Sequence, residues 1–298
     1  MDDMDFTKPQ AQTAAASAPF KASNSRFYKP EVAATLFKSV GREDRFTAGQ
    51  KVFVEDEKAS KGGLFSRNAT RMFYLAEGEV ALTIGERPLD VVKAGEVFGE
   101  MAVISGRPRS ATATARIDCV AYSLDAPELQ AALARNPEFA LMLASVMFDR
   151  LRFIAARLAS RPRAAGVAPM EAKFFEPHMV AELQEALPKS AIVRFPQQTL
   201  IFREGQSGSF MYVVKAGKVG IAVGATIVEV VVPGGTFGEM AVVDQSPRTA
   251  RAGAIDECEL LAIDRASLLH VIEVNPAFAM ALLKAVAERL RHMNNQLQ

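Results

Sequence analysis

Phe98-Gly99-Glu100-Met101-Ala102-Val103, FGEMAV, returns unchanged as residues 237–242. Nine residues after the glutamate stands an arginine in both places: Arg109 in "ISGRPRSATATA" and Arg248 in "VDQSPRTARAGA". Working outward, the same 139-residue offset pairs Gly78 with Gly217, Cys119 with Cys258, "NPEFALML" with "NPAFAMAL", and "DRLR" at Asp149 with "ERLR" at Glu288. Upstream the offset becomes 149, pairing "FTAGQKVFVEDE" at Phe46 with "FPQQTLIFREGQ" at Phe195. One unit is therefore built twice. The first copy carries ten additional residues within "KASKGGLFSRNATR", a Gly- and Ser-rich basic stretch that reads as an enlarged surface loop.

Each unit has one grammar. Short strand patterns come first ("KVFVE", "MFYLAEGEVALTIG", "LDVV"), then the FGEMAV block, then "SATATA" and "CVAYSLD". Many short strands with glycine turns predict a sandwich or a barrel. A long helix follows. Asn136-Pro137 and Asn275-Pro276 open it, with an N-cap residue followed by a proline whose missing N–H costs nothing at the first helical position. The predicted divisions are a disordered tail over residues 1–25, domain A over 26–160, a linker over 161–173, and domain B over 174–298.

Composition narrows the function. Apolar residues make up 49% and charged residues 23%, as in ordinary globular chains, and the net charge of +1 gives no field for nucleic acid or anionic lipid. There is no secretory h-region and no apolar run of spanning length, so a cytoplasmic location is expected. Cys119 and Cys258 occupy equivalent places in separate units and are expected to be buried and unbridged. The three histidines lie apart from the cysteines at no ligand spacing, so no metal site is predicted. No serine or cysteine has a histidine nearby, and no enzyme activity is predicted.

The FGEMAV block sets the chemistry. Gly99 permits close backbone approach. A helical turn opening there aims free N–H groups at one point, and the guanidinium fork of Arg109 suits a phosphate. An ionised Glu100 only accepts, which suits a sugar hydroxyl and repels a phosphate. A sugar phosphate satisfies both. The alternative is a buried Glu–Arg pair stapling a turn to a strand. Two copies at one spacing favour the ligand.

Both blocks resemble the phosphate-binding cassette of the cyclic nucleotide-binding domain family, which includes the catabolite activator protein, the regulatory subunit of cAMP-dependent protein kinase and cyclic-nucleotide-gated channels. The resemblance covers about residues 27–160 and 174–298. It implies an α+β, mainly β fold: two tandem double-stranded β-helix (jelly-roll, or β-roll) barrels, each of eight strands and each followed by a long helix. It further implies that Glu100 and Glu239 accept from the ribose 2′-hydroxyl, and that Arg109 and Arg248 clamp the cyclic phosphate. Backbone amides of Gly99, Glu100, Met101 and Ala102, and of Gly238, Glu239, Met240 and Ala241, complete the cradle. Ser110 and Thr249 contact phosphate or base, and Leu82, Val92, Ile221 and Val231 wall the purine. One departure stands out: Asp56 occupies the place of Gly205, where the family has glycine.

The expected ligand is cAMP at both sites, with cGMP kept open because of Thr249. The chain stops soon after "ERLR", leaving no room for a helix-turn-helix, so direct DNA binding is not expected. The expected partners are the nucleotide and an unidentified protein, with no membrane. Two apolar stripes follow 3-4 spacing: Ala144, Met147, Leu151, Ile154 and Leu158 in the first long helix, and Leu283, Val286, Leu290, Met293 and Leu297 in the second. Either each packs on its own barrel or they pair as a pseudo-dimer within one chain. The expected state is a monomer of that kind or a homodimer. A different class of reading also stands: an assembly module with non-binding pockets.

Overall fold

The computed structural model describes residues 28–57, 71–159, 169–224 and 226–295. The enlarged loop, most of the expected linker and the expected tail lie outside them. Repeat A opens with α1 (Pro30–Val40), then β1 (Arg42–Phe46), β2 (Lys51–Phe53), β3 (Met72–Glu77), β4 (Glu79–Ile84), β5 (Arg87–Lys93) and β6 (Val97–Phe98). The cassette helix α2 (Glu100–Ser105) follows, then β7 (Thr112–Ala115), β8 (Cys119–Leu124), α3 (Ala126–Arg135) and the long α4 (Pro137–Ala159). Repeat B runs through β9 (Met170–Ala172), α5 (Pro177–Ala186), β10 (Ile192–Phe195), β11 (Leu200–Phe202), β12 (Met211–Ala216), β13 (Val219–Val223), β14 (Thr226–Val231) and β15 (Thr236–Phe237). It closes with α6 (Glu239–Val243), β16 (Arg251–Ala254), β17 (Cys258–Ile263), α7 (Arg265–Val274) and the long α8 (Pro276–Asn295).

Each repeat is a roll of two facing sheets, β1-β8-β3-β6 on β2-β7-β4-β5 in A, and β10-β17-β12-β15 on β11-β16-β13-β14-β9 in B. The sequence dictates this through alternation. Along β8 (CVAYSL) Cys119, Ala121 and Ser123 are buried while Val120 and Tyr122 are only half-buried. Roll B has one strand beyond the eight expected. β9 lies inside the stretch read as linker, yet it pairs in parallel with β14, Met170 opposite Glu229 and Ala172 opposite Val231. Three residues are too short to show a period, so composition alone reads them as bridge.

Helix entry is chemically specified. Asp125 accepts from the Glu128 N–H and the Glu128 side chain accepts from the Asp125 N–H, a reciprocal capping box at the start of α3. Among the described residues three non-glycine positions hold a left-handed backbone: Asp56 (φ 59°), Gln198 (φ 62°) and Gln245 (φ 56°). At each equivalent position the other repeat has glycine, Gly205 (φ 77°), Gly49 (φ 80°) and Gly106 (φ 68°). The backbone is conserved between the repeats where the residue is not.

The long helices meet. α4 packs along α8, and Ala144, Met147, Leu151 and Ile154 share one apolar cluster with Leu283, Val286 and Leu290, with Met293 packed against it. The side chain of Leu158, and Leu297, lie outside the described residues. The same cluster takes in Met72 and Leu124 of roll A and Met211 and Ile263 of roll B. Of the two arrangements expected, the stripes pair with each other, and the helices also cross over: α4 packs on α6 and α7 of repeat B, and α8 on α2 and α3 of repeat A. Cys119 and Cys258 are buried and free, each Sγ lying near backbone carbonyls of its own roll.

Candidate cyclic-nucleotide site

In each roll a glycine in the left-handed region opens the cassette helix: Gly99 (φ 74°) before α2 and Gly238 (φ 78°) before α6, with no side chain capping the first turn. Both glycines are required twice over. A Cβ on Gly99 would lie 2.9 Å from Arg109 Nη1, and one on Gly238 would lie 2.5 Å from Arg248 Nη1. The arginines close against these glycines. Arg109 Nη1 donates to the Gly99 carbonyl at 2.7 Å and Nη2 to the Arg71 carbonyl, while its guanidinium lies 3.9 Å over the Phe53 ring. Arg248 repeats the set: Gly238 carbonyl at 2.8 Å, Phe210 carbonyl at 2.6 Å, and the Phe202 ring at 4.0 Å.

Both arginines are buried, with Arg109 2% and Arg248 6% exposed as whole residues. Burial drags Arg109 down to about 10, against the opposing pull of Glu57 and Glu100. Burial lowers Arg248 too, with Tyr212 and Glu239 opposing. The Arg248 Nε–H is buried without a hydrogen-bond partner. A buried donor left unmatched in a cation stacked on an aromatic face is chemically suited to an incoming anion.

The glutamates are not partners of these arginines. Glu100 pairs with Arg150 of α4. Glu239 pairs with Arg289 of α8 at 2.7 Å and accepts from the Thr236 hydroxyl at 2.6 Å, both on Oε1. Arg289 also binds Glu229 at 2.9 Å and the Thr236 carbonyl. Burial alone would raise the Glu239 carboxyl, but Arg289 and Thr236 outweigh it and hold the group below the usual carboxylate range. The stapled Glu–Arg alternative is thus replaced: each glutamate is tied to the long helix, and a carboxylate has lone pairs to spare for a further donor.

The remaining expected residues fall around these pairs. Met101, Ala102 and Ala241 are buried and Met240 is half-buried in the cassette helices. Val92 and Leu82 share the roll A cluster with Phe53, the ring beneath Arg109, and Val231 and Ile221 share the roll B cluster with Phe202. Ser110 and Thr249 are exposed, and the Thr249 hydroxyl reaches Met240 Sδ at 3.6 Å. Sequence reasoning gave no role to Arg150, Arg289, Phe53 or Phe202. A signal existed: Arg150 and Arg289 are the second residues of DRLR and ERLR, and Phe53 and Phe202 match at the upstream offset.

Among the described residues no three His, Cys, Asp or Glu side chains could hold a metal ion, and no single helix is long and apolar enough to cross a membrane. The family model for the cyclic nucleotide-binding domain matches residues 64–136 and 192–275. The chain is 34% identical over 127 residues to the CRP-like cAMP-activated global transcriptional regulator of Mycobacterium tuberculosis, covering 41% of this chain and 55% of that protein. It is 25% identical over 223 residues to the cAMP-dependent protein kinase regulatory subunit of Eremothecium gossypii, covering 74% and 44%. Among solved structures it is similar to the catabolite activator protein of Thermus thermophilus, with 26% identity, a TM-score of 0.38, and 44% and 59% coverage. The chain spans about half the length of the curated relatives it matches. With two matches that together take in more than half of its residues, one in each roll, the chain belongs to the cyclic nucleotide-binding domain family.

Proposed function

We propose that this protein is a non-enzymatic, cytoplasmic cAMP sensor with one binding site per roll, acting on a protein partner through movement of the long helices. The observation that carries the reading is the duplicated cation: a buried guanidinium on a phenylalanine ring, held by the carbonyl of its own cassette glycine, in both rolls. Arg109 and Arg248 take the cyclic phosphate, with the uncapped N–H groups of α2 and α6 beside them. Glu100 and Glu239 take the ribose hydroxyl. Because α4 and α8 hold those glutamates through Arg150 and Arg289, a hydroxyl that draws on the same carboxylate bears directly on each helix. Occupancy then shifts the population of helix positions. The names of the cAMP-activated and cAMP-dependent relatives support cAMP, and those of the cGMP-dependent protein kinases make cGMP the second ligand to test. The joint core of α4 and α8 within one chain favours a monomer, which a sedimentation measurement in dilute solution checks.

Calorimetry with cAMP on the wild type, Arg109→Lys and Arg248→Lys tests the assignment. An ammonium keeps the charge and loses the fork, so each variant should weaken one site about 10- to 100-fold, the worth of a charge-assisted hydrogen bond of about 1.5–3 kcal/mol. Unchanged affinity in both variants sinks the site. A thermal-shift scan with cAMP, cGMP and AMP separates the classes: stabilisation by a cyclic nucleotide alone fits a sensor, and a flat response fits an assembly module.

A further inference from the structure

Beside each buried arginine runs the turn that follows β2 or β11. In roll A it reads Val54-Glu55-Asp56-Glu57, and in roll B Arg203-Glu204-Gly205-Gln206. The two turns are held in one way. The Asp56 N–H donates to the Arg109 carbonyl at 2.9 Å and the Arg109 N–H to the Glu57 carbonyl at 3.4 Å. The Gly205 N–H donates to the Arg248 carbonyl at 2.8 Å and the Arg248 N–H to the Gln206 carbonyl at 2.9 Å. The side chains repeat as well: Glu57 Oε2 accepts from the Val54 N–H at 3.1 Å, and Gln206 Oε1 from the Arg203 N–H at 3.0 Å. An oxygen sits at the same place in both turns, part of a carboxylate in A and of an amide in B.

The difference in charge reaches the arginine. The turn of A has three carboxylates and no cation, and the turn of B one carboxylate and one guanidinium, that of Arg203. Arg109 is pulled by Glu57 ahead of Glu100, whereas Arg248 is pulled by Tyr212 and Glu239. Glu57 is half-buried, so water screens its field only in part, while Asp56 is exposed. Two cradles of one shape therefore offer a phosphate different potentials. An anion at Arg109 is repelled by the Glu57 carboxylate in proportion to its own charge. A cyclic phosphate is a diester with a single negative charge. Opening its ring with water gives a monoester, which carries about −1.5 to −2 at pH 7 on the same base and sugar.

We propose that Glu57 is a specificity-determining residue of site A: its carboxylate disfavours the open-chain phosphate monoester relative to the singly charged cyclic diester, and site B, with Gln206 in its place, discriminates less. The proposal rests on the reading that Arg109 and Arg248 take a nucleotide phosphate. The monoester feels the repulsion about twice as strongly as the diester, so site A gains selectivity while it loses some affinity for both. Specificity is a difference of two affinities, and a repulsive group placed against the wrong ligand supplies it. The wrong ligand here is the product that remains once a cyclic nucleotide has been hydrolysed, identical to the signal except at the phosphate.

Displacement of a fluorescent cAMP analogue by cAMP and by AMP measures this on the full chain. Arg248→Ala reports site A and Arg109→Ala reports site B, with the Lys variants replacing either one that does not melt cooperatively. The readout is the dissociation constant for AMP divided by that for cAMP. At about 0.1 M salt this ratio should be about fivefold larger at site A than at site B, the order of one added unit charge acting across a partly screened gap. Glu57→Gln keeps an oxygen for the Val54 N–H, as Gln206 does for Arg203. It should lower the ratio at site A about fivefold, tightening AMP more than cAMP, and Gln206→Glu should raise the ratio at site B by a similar factor. Both changes should fade towards about 1 M salt, where the screening length falls from ~10 to ~3 Å. A structural role alone would change both nucleotides equally and leave the ratio where it was. A ratio at site A that Glu57→Gln does not lower, that responds alike at both salts, or that is no larger than the ratio at site B overturns the proposal and leaves the sites standing. A wild type that takes up no cAMP overturns the site reading and the proposal together.

Discussion

Glu100 and Glu239 hold the same place in two copies of one roll, yet they are secured differently. Glu100 is tied to Arg150, whose side chain is 24% exposed. Glu239 stands in a four-membered network with Arg289, Glu229 and Thr236, in which Arg289 is 11% exposed. Roll B therefore commits more buried charge to its long helix than roll A does. The duplication preserved the backbone and the cassette's glutamate and arginine and left the supporting ion pairs free to diverge. A buried pair contributes little net stability when intact, but removing one partner strands the other.

The largest expected effect follows from that asymmetry. Arg289→Ala should cost about 3–5 kcal/mol in urea denaturation, because it strands the buried Glu239 carboxylate and the half-buried Glu229. Arg150→Ala should cost clearly less, and equal losses would break the comparison. Acid sharpens it. The Glu239 carboxyl lies below its unfolded value of about 4.3. Its contribution is therefore fully present above that value and is lost as the pH falls through the lower folded-state value. Glu239→Gln should flatten the acid limb of the stability profile, measured by denaturant midpoint against pH.

Next in size is a change confined to one site. A Cβ on Gly208 would sit 2.4 Å from Arg248 Nη2. Gly208→Ala should displace the guanidinium and weaken cAMP binding at site B about tenfold, a loss of ~1.4 kcal/mol, with site A as the internal reference. Smaller still is Gln245→Gly, which puts into roll B the glycine that roll A has at Gly106. It should raise stability by about 0.5–1 kcal/mol by relieving a left-handed side chain, net of the added chain entropy. The smallest is Ser105→Asp, which gives Arg291 a carboxylate at the place where Arg152 meets Asp244. A gain of up to ~1 kcal/mol in the thermal midpoint, converted to free energy, is expected, and a loss would show that the two places are not interchangeable.

Much of this was legible in the chain. The repeat, the cassette, the Asn-Pro helix starts and the helix stripes all depend on local pattern, which sequence displays directly. The buried glutamates and arginines of the cassettes stood out because an acid and a guanidinium recur at one spacing among small residues. The helix arginines were not, because Arg150 and Arg289 meet glutamates 50 residues away and nothing local marks which charge on a helix turns inward. The crossing from one roll to the other was hidden for the same reason: Arg152 and Asp244 are 92 residues apart. The β9 strand escaped because three residues stitched to the edge of a sheet look like any short linker.

That strand decides what a single cut would do. Since Met170–Ala172 is sewn into the sheet of the second roll, a protease acting between residues 160 and 168 would leave every strand with its own sheet. To part, the two fragments would have to peel α4 from α8 and separate, among other contacts, Arg152 from Asp244, Arg107 from Glu288 and Glu138 from Arg265. A nicked chain should therefore migrate as two pieces in denaturing gel and as one body in native buffer, held by the core that the two rolls share.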